Sequence, residues 1–208
     1  MLVKTYSAAV NGLEVTTVTI EVSITRGVLY HLTGLGDEAV HEGRDRIAAA
    51  MQYNGFHFLK ADVTVNMAPA DLKKEGSSFD LPLAIALLAA DGQTDPQSLD
   101  SYMMVGELSL DGHLQPAKGV LPMAIKARAE HYKGLIVPRA NVGEAAIVNN
   151  LDVYGMDNIT DVLNFLTGKQ AFEPTVIDTR QEFYDQQYDI DLDFAEVRGQ
   201  ENVKRALE

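Results

Sequence analysis

Residues 79–90, FDLPLAIALLAA, carry one charged side chain in twelve positions. A helix that is apolar all round has no face to give to water, so the segment reads as a buried helix that other layers must enclose. Pro82 agrees with this, because proline is tolerated in a first helical turn, where its missing N–H had no intrahelical partner. The chain has the material to enclose such a helix: 208 residues at 46% apolar content can bury a core as one domain or two small ones.

The flanking segments supply sheet and helix in mixed order. TYSAAV and LEVTTVTIEVSIT are rich in β-branched residues and meet at Asn11-Gly12, which predicts a hairpin. A third run spans Gly27 to Thr33, followed by a helix from Asp37 to Asn54 with Ala39, Val40, Ile47, Ala50 and Met51 on its apolar stripe. Ala61 to Met67 alternates Val63 and Val65 with Asp62, Thr64 and Asn66, a half-buried strand. Beyond the apolar helix, Met103 to Leu110 and Gly112 to Pro116 predict a second hairpin around Asp111-Gly112, and Val120 to Tyr132 a helix. Leu135 to Pro138, a helix from Asn141, Leu151 to Tyr154 and a helix from Asn158 to Thr167 form an alternating tail. The order implies layered α and β structure with no internal repeat.

Charge divides the chain. The net charge is −13, and residues 173–193 alone hold seven carboxylates against Arg180. So acidic a chain has no broad sequence-independent grip on nucleic acid, which depends on lysine and arginine, although a local basic face is open to the folded part. Residues 169–192 read as an acidic linker or arm between a domain at 1–168 and a final segment at 193–208. Three aspartates, Asp189, Asp191 and Asp193, lack the glycine and glutamate of a calcium loop and read as a solvated face. With no cysteine there is no disulfide framework or thiolate metal site. The N-terminus lacks a signal-peptide pattern and no apolar run is long enough for a membrane helix, so the expected location is the cytoplasm, without a membrane partner.

The most suggestive chemical position is Lys73-Lys74-Glu75-Gly76-Ser77-Ser78-Phe79-Asp80. A serine at a helix N-terminus sits where backbone N–H groups stabilise an oxyanion. The same place also suits a helix cap, for which Ser77, Ser78 and Asp80 are all candidates, and capping is the commoner use. A nucleophilic serine needs a histidine or a desolvated lysine. His31, His41, His57, His113 and His131 show no metal-ligand spacing and read as surface or satisfied residues. Gly34 and Gly36 lack the third glycine of a dinucleotide fingerprint and read as a strand-to-helix turn.

Glu75-Gly76-Ser77-Ser78 before one helix, and Val105-Gly106-Glu107-Leu108-Ser109-Leu110-Asp111-Gly112 before another, resemble the core of Lon-type proteolytic domains. That resemblance places Ser78 at the nucleophile and the dyad lysine at Leu121, with Lys118 one turn upstream. Leucine cannot deprotonate serine, so the implied site is vestigial. The stretches 34–40, 66–82, 105–112, 118–124 and 134–138 are similar throughout to the YifB/ComM family of magnesium-chelatase-like AAA+ ATPases.

This second resemblance implies an α+β fold of the Lon-protease-like (ribosomal protein S5 domain 2-like) type, with mixed sheets and helices. It further implies that residues 193–208 resemble the lead-in to an AAA+ module, with Val197, Gly199 and Gln200 on the adenine side of an incomplete nucleotide site. A phosphate-binding GxxxxGK[ST] loop is expected further along the natural chain. The expected role is a scaffold for ring assembly or DNA guidance, without cofactor or metal of its own, in a hexameric motor that uses ATP and Mg²⁺ and drives DNA branch migration during natural transformation. Two alternatives stand beside it: an ATP-dependent Ser-Lys protease using Lys118, and a pure oligomerisation or partner-binding module.

Overall fold

In the computed structural model, residues 2–12, 14–34, 36–58, 61–177 and 198–207 are described. They divide into a compact unit, Met1–Val176, and a second, Ile177–Glu208. The first unit is a mixed α/β structure on a seven-stranded sheet in the order β3 (Tyr30–Thr33), β4 (Asp62–Ala68), β2 (Glu14–Thr25), β1 (Leu2–Asn11), β5 (Tyr102–Met104), β8 (Gly134–Pro138) and β9 (Asp152–Met156).

The expected hairpin forms the middle of the sheet: β1 (Leu2–Asn11) and β2 (Glu14–Thr25) pair antiparallel from Leu2↔Ser23 to Asn11↔Glu14. The third run is shorter than expected, β3 (Tyr30–Thr33), because residues 26–28 bend before it. The first helix, α1 (Glu38–Tyr53), buries Val40, Ile47, Ala50 and Met51 as its stripe predicts, and Asp37 caps it by accepting from Val40 N at 3.0 Å. Strand β4 (Asp62–Ala68) alternates as expected, with Val63 and Val65 buried, and runs antiparallel to β2 and parallel to β3.

The apolar segment is α2 (Asp80–Ala90), and all eleven of its residues are buried. It packs on β1, β2 and α1. Thr5 Oγ1 donates to Pro82 O at 2.9 Å, which fixes the face of β1 that meets this helix. Thr5 pairs with Ile20, so Val18, Ile20 and Val22, all fully buried, share that face. Truncating one such side chain, Leu87→Ala, should cost about 2–5 kcal/mol. The opposite face of β2 carries Thr17, whose Oγ1 donates to Glu130 just beyond α3 (Val120–Ala129), so helices cover the sheet from both sides.

The second hairpin departs from expectation. Residues 103–110 are not one strand: β5 (Tyr102–Met104) joins the main sheet between β1 and β8, and β6 (Glu107–Leu108) pairs separately with β7 (Leu114–Gln115). The break lies at Val105-Gly106, whose backbone serves two elements: Val105 N donates to Ile136 O and Gly106 N to Ser78 O. The tail alternates as expected through β8 (Gly134–Pro138), α4 (Val142–Ala145), β9 (Asp152–Met156) and α5 (Ile159–Leu166), although α4 is a single turn after a 3-10 turn at Arg139–Asn141. Asn158 caps α5 by accepting from Asp161 N at 2.9 Å. β5, β8 and β9 are mutually parallel. Phe172 stacks edge-on to Phe165, and Thr175 N donates to Val153 O at 2.8 Å, so the compact unit continues past α5.

In the second unit a helix, α6 (Glu201–Leu207), begins after Gln200, whose carbonyl accepts from Val203 N and Lys204 N. Gly199 and Gln200 are exposed and both have positive φ. Val197, the third of the expected adenine-side residues, lies outside the described residues, as do Asp189, Asp191 and Asp193.

Candidate active-site cleft

The loop between β4 and α2 is held at several points before it reaches Ser78. Lys74 O accepts from Asp37 N at 3.0 Å, and Asp37 Oδ2 accepts from Gly76 N at 3.1 Å, so one carboxylate caps α1 and fixes this loop. Gly34 makes the close approach possible on the other side, since a Cβ there would lie 2.1 Å from Met67 O. The Lys74 side chain is fully buried and donates through Nζ to Pro69 O. Burial lowers its pKa from the ordinary lysine value, with the Asp71 charge acting weakly the other way.

Ser78 then enters a cleft of about 610 Å³ whose walls include Ala8 to Val10 of β1, Glu107 of β6, and Pro116 to Lys118 ahead of α3. The structure therefore brings Ser78 and Lys118 to one cleft. It does not give Lys118 the surroundings of a base: the residue is exposed, whereas a lysine works as a base at neutral pH when it is desolvated. Leu121 lies in the first turn of α3 and is half-buried. All five histidines are exposed; His57 and His113 pair with Asp91 and Asp111 at 3.2 and 3.1 Å.

The expected side-chain cap on α2 is absent. The N-cap position is Phe79, and the first-turn donors are met by backbone: Asp80 N donates to Ser77 O at 3.1 Å and Leu81 N to Gly106 O at 3.0 Å. Pro82 has no N–H to satisfy. Neither Ser77 nor Ser78 is needed as a cap, and these donors are no longer free for an oxyanion. Asp80 has a different task. It is 2% exposed, and Arg46 of α1 binds both its oxygens, at 2.8 and 3.2 Å, while Leu108 N donates to Oδ2 at 3.3 Å. Burial raises the Asp80 pKa, opposed by Arg46 and the Leu108 N–H.

Ser77, beside the expected nucleophile, makes a serine–carboxylate contact in the cleft, donating from Oγ to Glu107. Sequence reading did not find this pair, nor Asp37 as an organiser of the loop. Both lie inside motif stretches, but partners 30 and 39 residues apart leave no local pattern. The cleft can hold a hydroxyl by a carboxylate and fix a loop; the described hydrogen bonds give Ser78 no lysine or histidine partner.

The fold and the site define a mixed α/β domain whose buried helix, entered through a Gly-Ser-Ser turn, faces a small hairpin and a second helix. The family model for subunit ChlI of Mg-chelatase matches residues 20–141, and the chain belongs to this Mg-chelatase ChlI family. It is 36% identical to the competence protein ComM of Haemophilus influenzae over 203 residues, covering 97% of this chain and 40% of that protein. It is 37% identical to YifB of Escherichia coli over 207 residues, covering 98% and 39%. A more distant likeness, 26% over 121 residues, is to Lon protease 2 of Syntrophobacter fumaroxidans, covering 56% of this chain and 15% of that protein. The chain thus spans about two fifths of the length of ComM and YifB. No helix among the described residues is long and apolar enough to cross a membrane.

Proposed function

We propose that this chain is a non-catalytic scaffold domain of a magnesium-chelatase-like AAA+ ATPase, serving ring assembly or DNA guidance in a cytoplasmic hexameric motor that drives DNA branch migration. The observation that carries the non-catalytic part is the state of the cleft: Ser78 shares it with an exposed Lys118, and the α2 N-terminus has its first N–H groups bound to backbone carbonyls. The motor part rests on family membership and on the similarity to ComM. ATP and Mg²⁺ belong, on this reading, to the rest of the protein, with Gly199 and Gln200 beside the adenine. DNA and further copies of the protein are its partners.

The test compares the full-length protein with a version lacking residues 1–168. The scaffold reading expects ATP hydrolysis to persist while ring assembly, or binding to branched DNA, falls. Unchanged assembly and unchanged DNA binding would contradict it. One observation favours a second reading, an ATP-dependent Ser-Lys protease: Ser78 and Lys118 line the same cleft.

A further inference from the structure

The two edges of the main sheet are finished differently. At β9 the chain covers its own edge, with Thr175 N donating to Val153 O. At the other end, among the described residues, β3 pairs with β4 alone, in parallel register from Tyr30↔Val63 to Thr33↔Asn66. Leu29 O accepts from Val63 N at 2.8 Å. Peptide groups alternate sides along a strand, so with Leu29 and His31 turned to β4, the N–H and C=O of Tyr30 and Leu32 face outward. A strand edge of this kind is a template for another chain.

The edge opens on a groove of about 430 Å³ lined by Tyr30, His31, Leu32, Thr33, His41 and Arg44. Its titratable and charged lining is thus one tyrosine, two histidines and one arginine, with no carboxylate among the described lining residues. The Arg44 guanidinium lies over the Tyr30 ring at 5.1 Å and the Phe58 ring at 5.8 Å, which holds the cation at the groove. Among the described residues, the ion pairs of α1 run instead through Arg46, to Glu42 and Asp80. Val28 and Leu29, 83% and 56% exposed, extend the edge with apolar surface.

We propose that β3 is the docking edge for an extended acidic polypeptide segment of a partner protein, which adds a strand beside Tyr30–Thr33 and sets carboxylates against Arg44 and His41. Main-chain bonds to Tyr30 and Leu32 supply affinity, and side chains at alternate positions of the incoming strand supply selectivity. Charge complementarity selects acid over base, and the outward-facing peptide groups of Tyr30 and Leu32 favour a polypeptide over a nucleic acid.

The experiment titrates the ¹⁵N-labelled 208-residue chain with a short peptide of alternating aspartate and valine. The expected result is saturable movement of the Tyr30–Thr33 amide signals. Binding should be lost when alternate peptide amides are N-methylated, a change that leaves the protein untouched. Affinity should fall about tenfold in a folded Arg44→Glu variant, roughly the 1.4 kcal/mol of a reversed contact charge. Signals that move elsewhere, or binding indifferent to N-methylation, would overturn the proposal. So would movement of these amides by a single-stranded oligonucleotide but not by the peptide.

Discussion

Arg46, on the third turn of α1, holds Asp80 at the start of α2 through two hydrogen bonds, 2.8 Å from Nε and 3.2 Å from Nη2. The carboxylate is nearly inaccessible, and its other described contact is the Leu108 N–H of β6. One buried acid thus ties α1, α2 and the small hairpin together. Removing the guanidinium leaves that charge uncompensated, so Arg46→Leu should destabilise the fold by about 3–5 kcal/mol in urea unfolding. A loss below about 1 kcal/mol would show that the pair organises little.

Gly43 faces the same carboxylate from within α1. Helix propensity alone makes Gly43→Ala favourable by about 1 kcal/mol. However, a Cβ at this position would stand 2.5 Å from Asp80 Oδ1, a contact that cannot exist without moving the pair. The steric effect should win. Gly43→Ala is expected to lower Tm, and a raised Tm would mean that Asp80 has room to shift.

Lys74 gives a pH test whose sign is fixed by its environment. Its pKa is lowered in the folded chain by burial, so the folded state disfavours the charged form relative to the unfolded state. The associated penalty is present when lysine is charged in both states. It disappears as pH rises through the folded pKa towards the unfolded value near 10.5. The stability of wild type relative to Lys74→Met should therefore improve as pH is raised from 7 towards 10. A flat or opposite trend in paired denaturation curves would contradict the burial account.

Asp111 should behave in the reverse sense. Its carboxylate accepts from Ser109 Oγ and His113 N, and His113 Nδ1 lies 3.1 Å away, contacts that hold its pKa down to about 2. The Ser109 contact is the largest cause, so Ser109→Ala should raise the value seen in a carbon-detected NMR titration. The support this carboxylate gives the β6–β7 turn is present above its unfolded pKa and lost as pH falls through about 2. An unchanged titration in Ser109→Ala would remove the hydroxyl from the explanation.

Local signals carried most of the element order. The alternation of Val63 and Val65, the uniform apolarity of α2 and the start of α5 at Asn158 are all written within a few residues, and each is where the sequence places it. Features settled by distant partners were not legible. Gly106 takes the capping role that sequence reasoning gave to serine or aspartate, because its carbonyl arrives from a segment 25 residues downstream of Leu81. The same segment splits the expected strand at 103–110, since Val105 and Gly106 direct their N–H groups to β8 and to the Ser78 loop. Motif resemblance singled out Ser78 and Lys118, which line one cleft, but the Ser77–Glu107 and Arg46–Asp80 pairs depend on packing that one-dimensional spacing does not record.

Ser78 itself decides the central claim. Its hydroxyl is not the cap of α2, so Ser78→Ala should change stability by less than about 0.5 kcal/mol, below the cost of losing a true N-cap. That makes the substitution a clean probe of chemistry. The measurement is degradation of an unfolded protein substrate by the full-length protein supplied with ATP and Mg²⁺, with and without Ser78→Ala. A vestigial site predicts the same result from both proteins, with no serine-dependent cleavage. Cleavage by the wild type that disappears in Ser78→Ala would contradict the scaffold account and make Lys118 the candidate base.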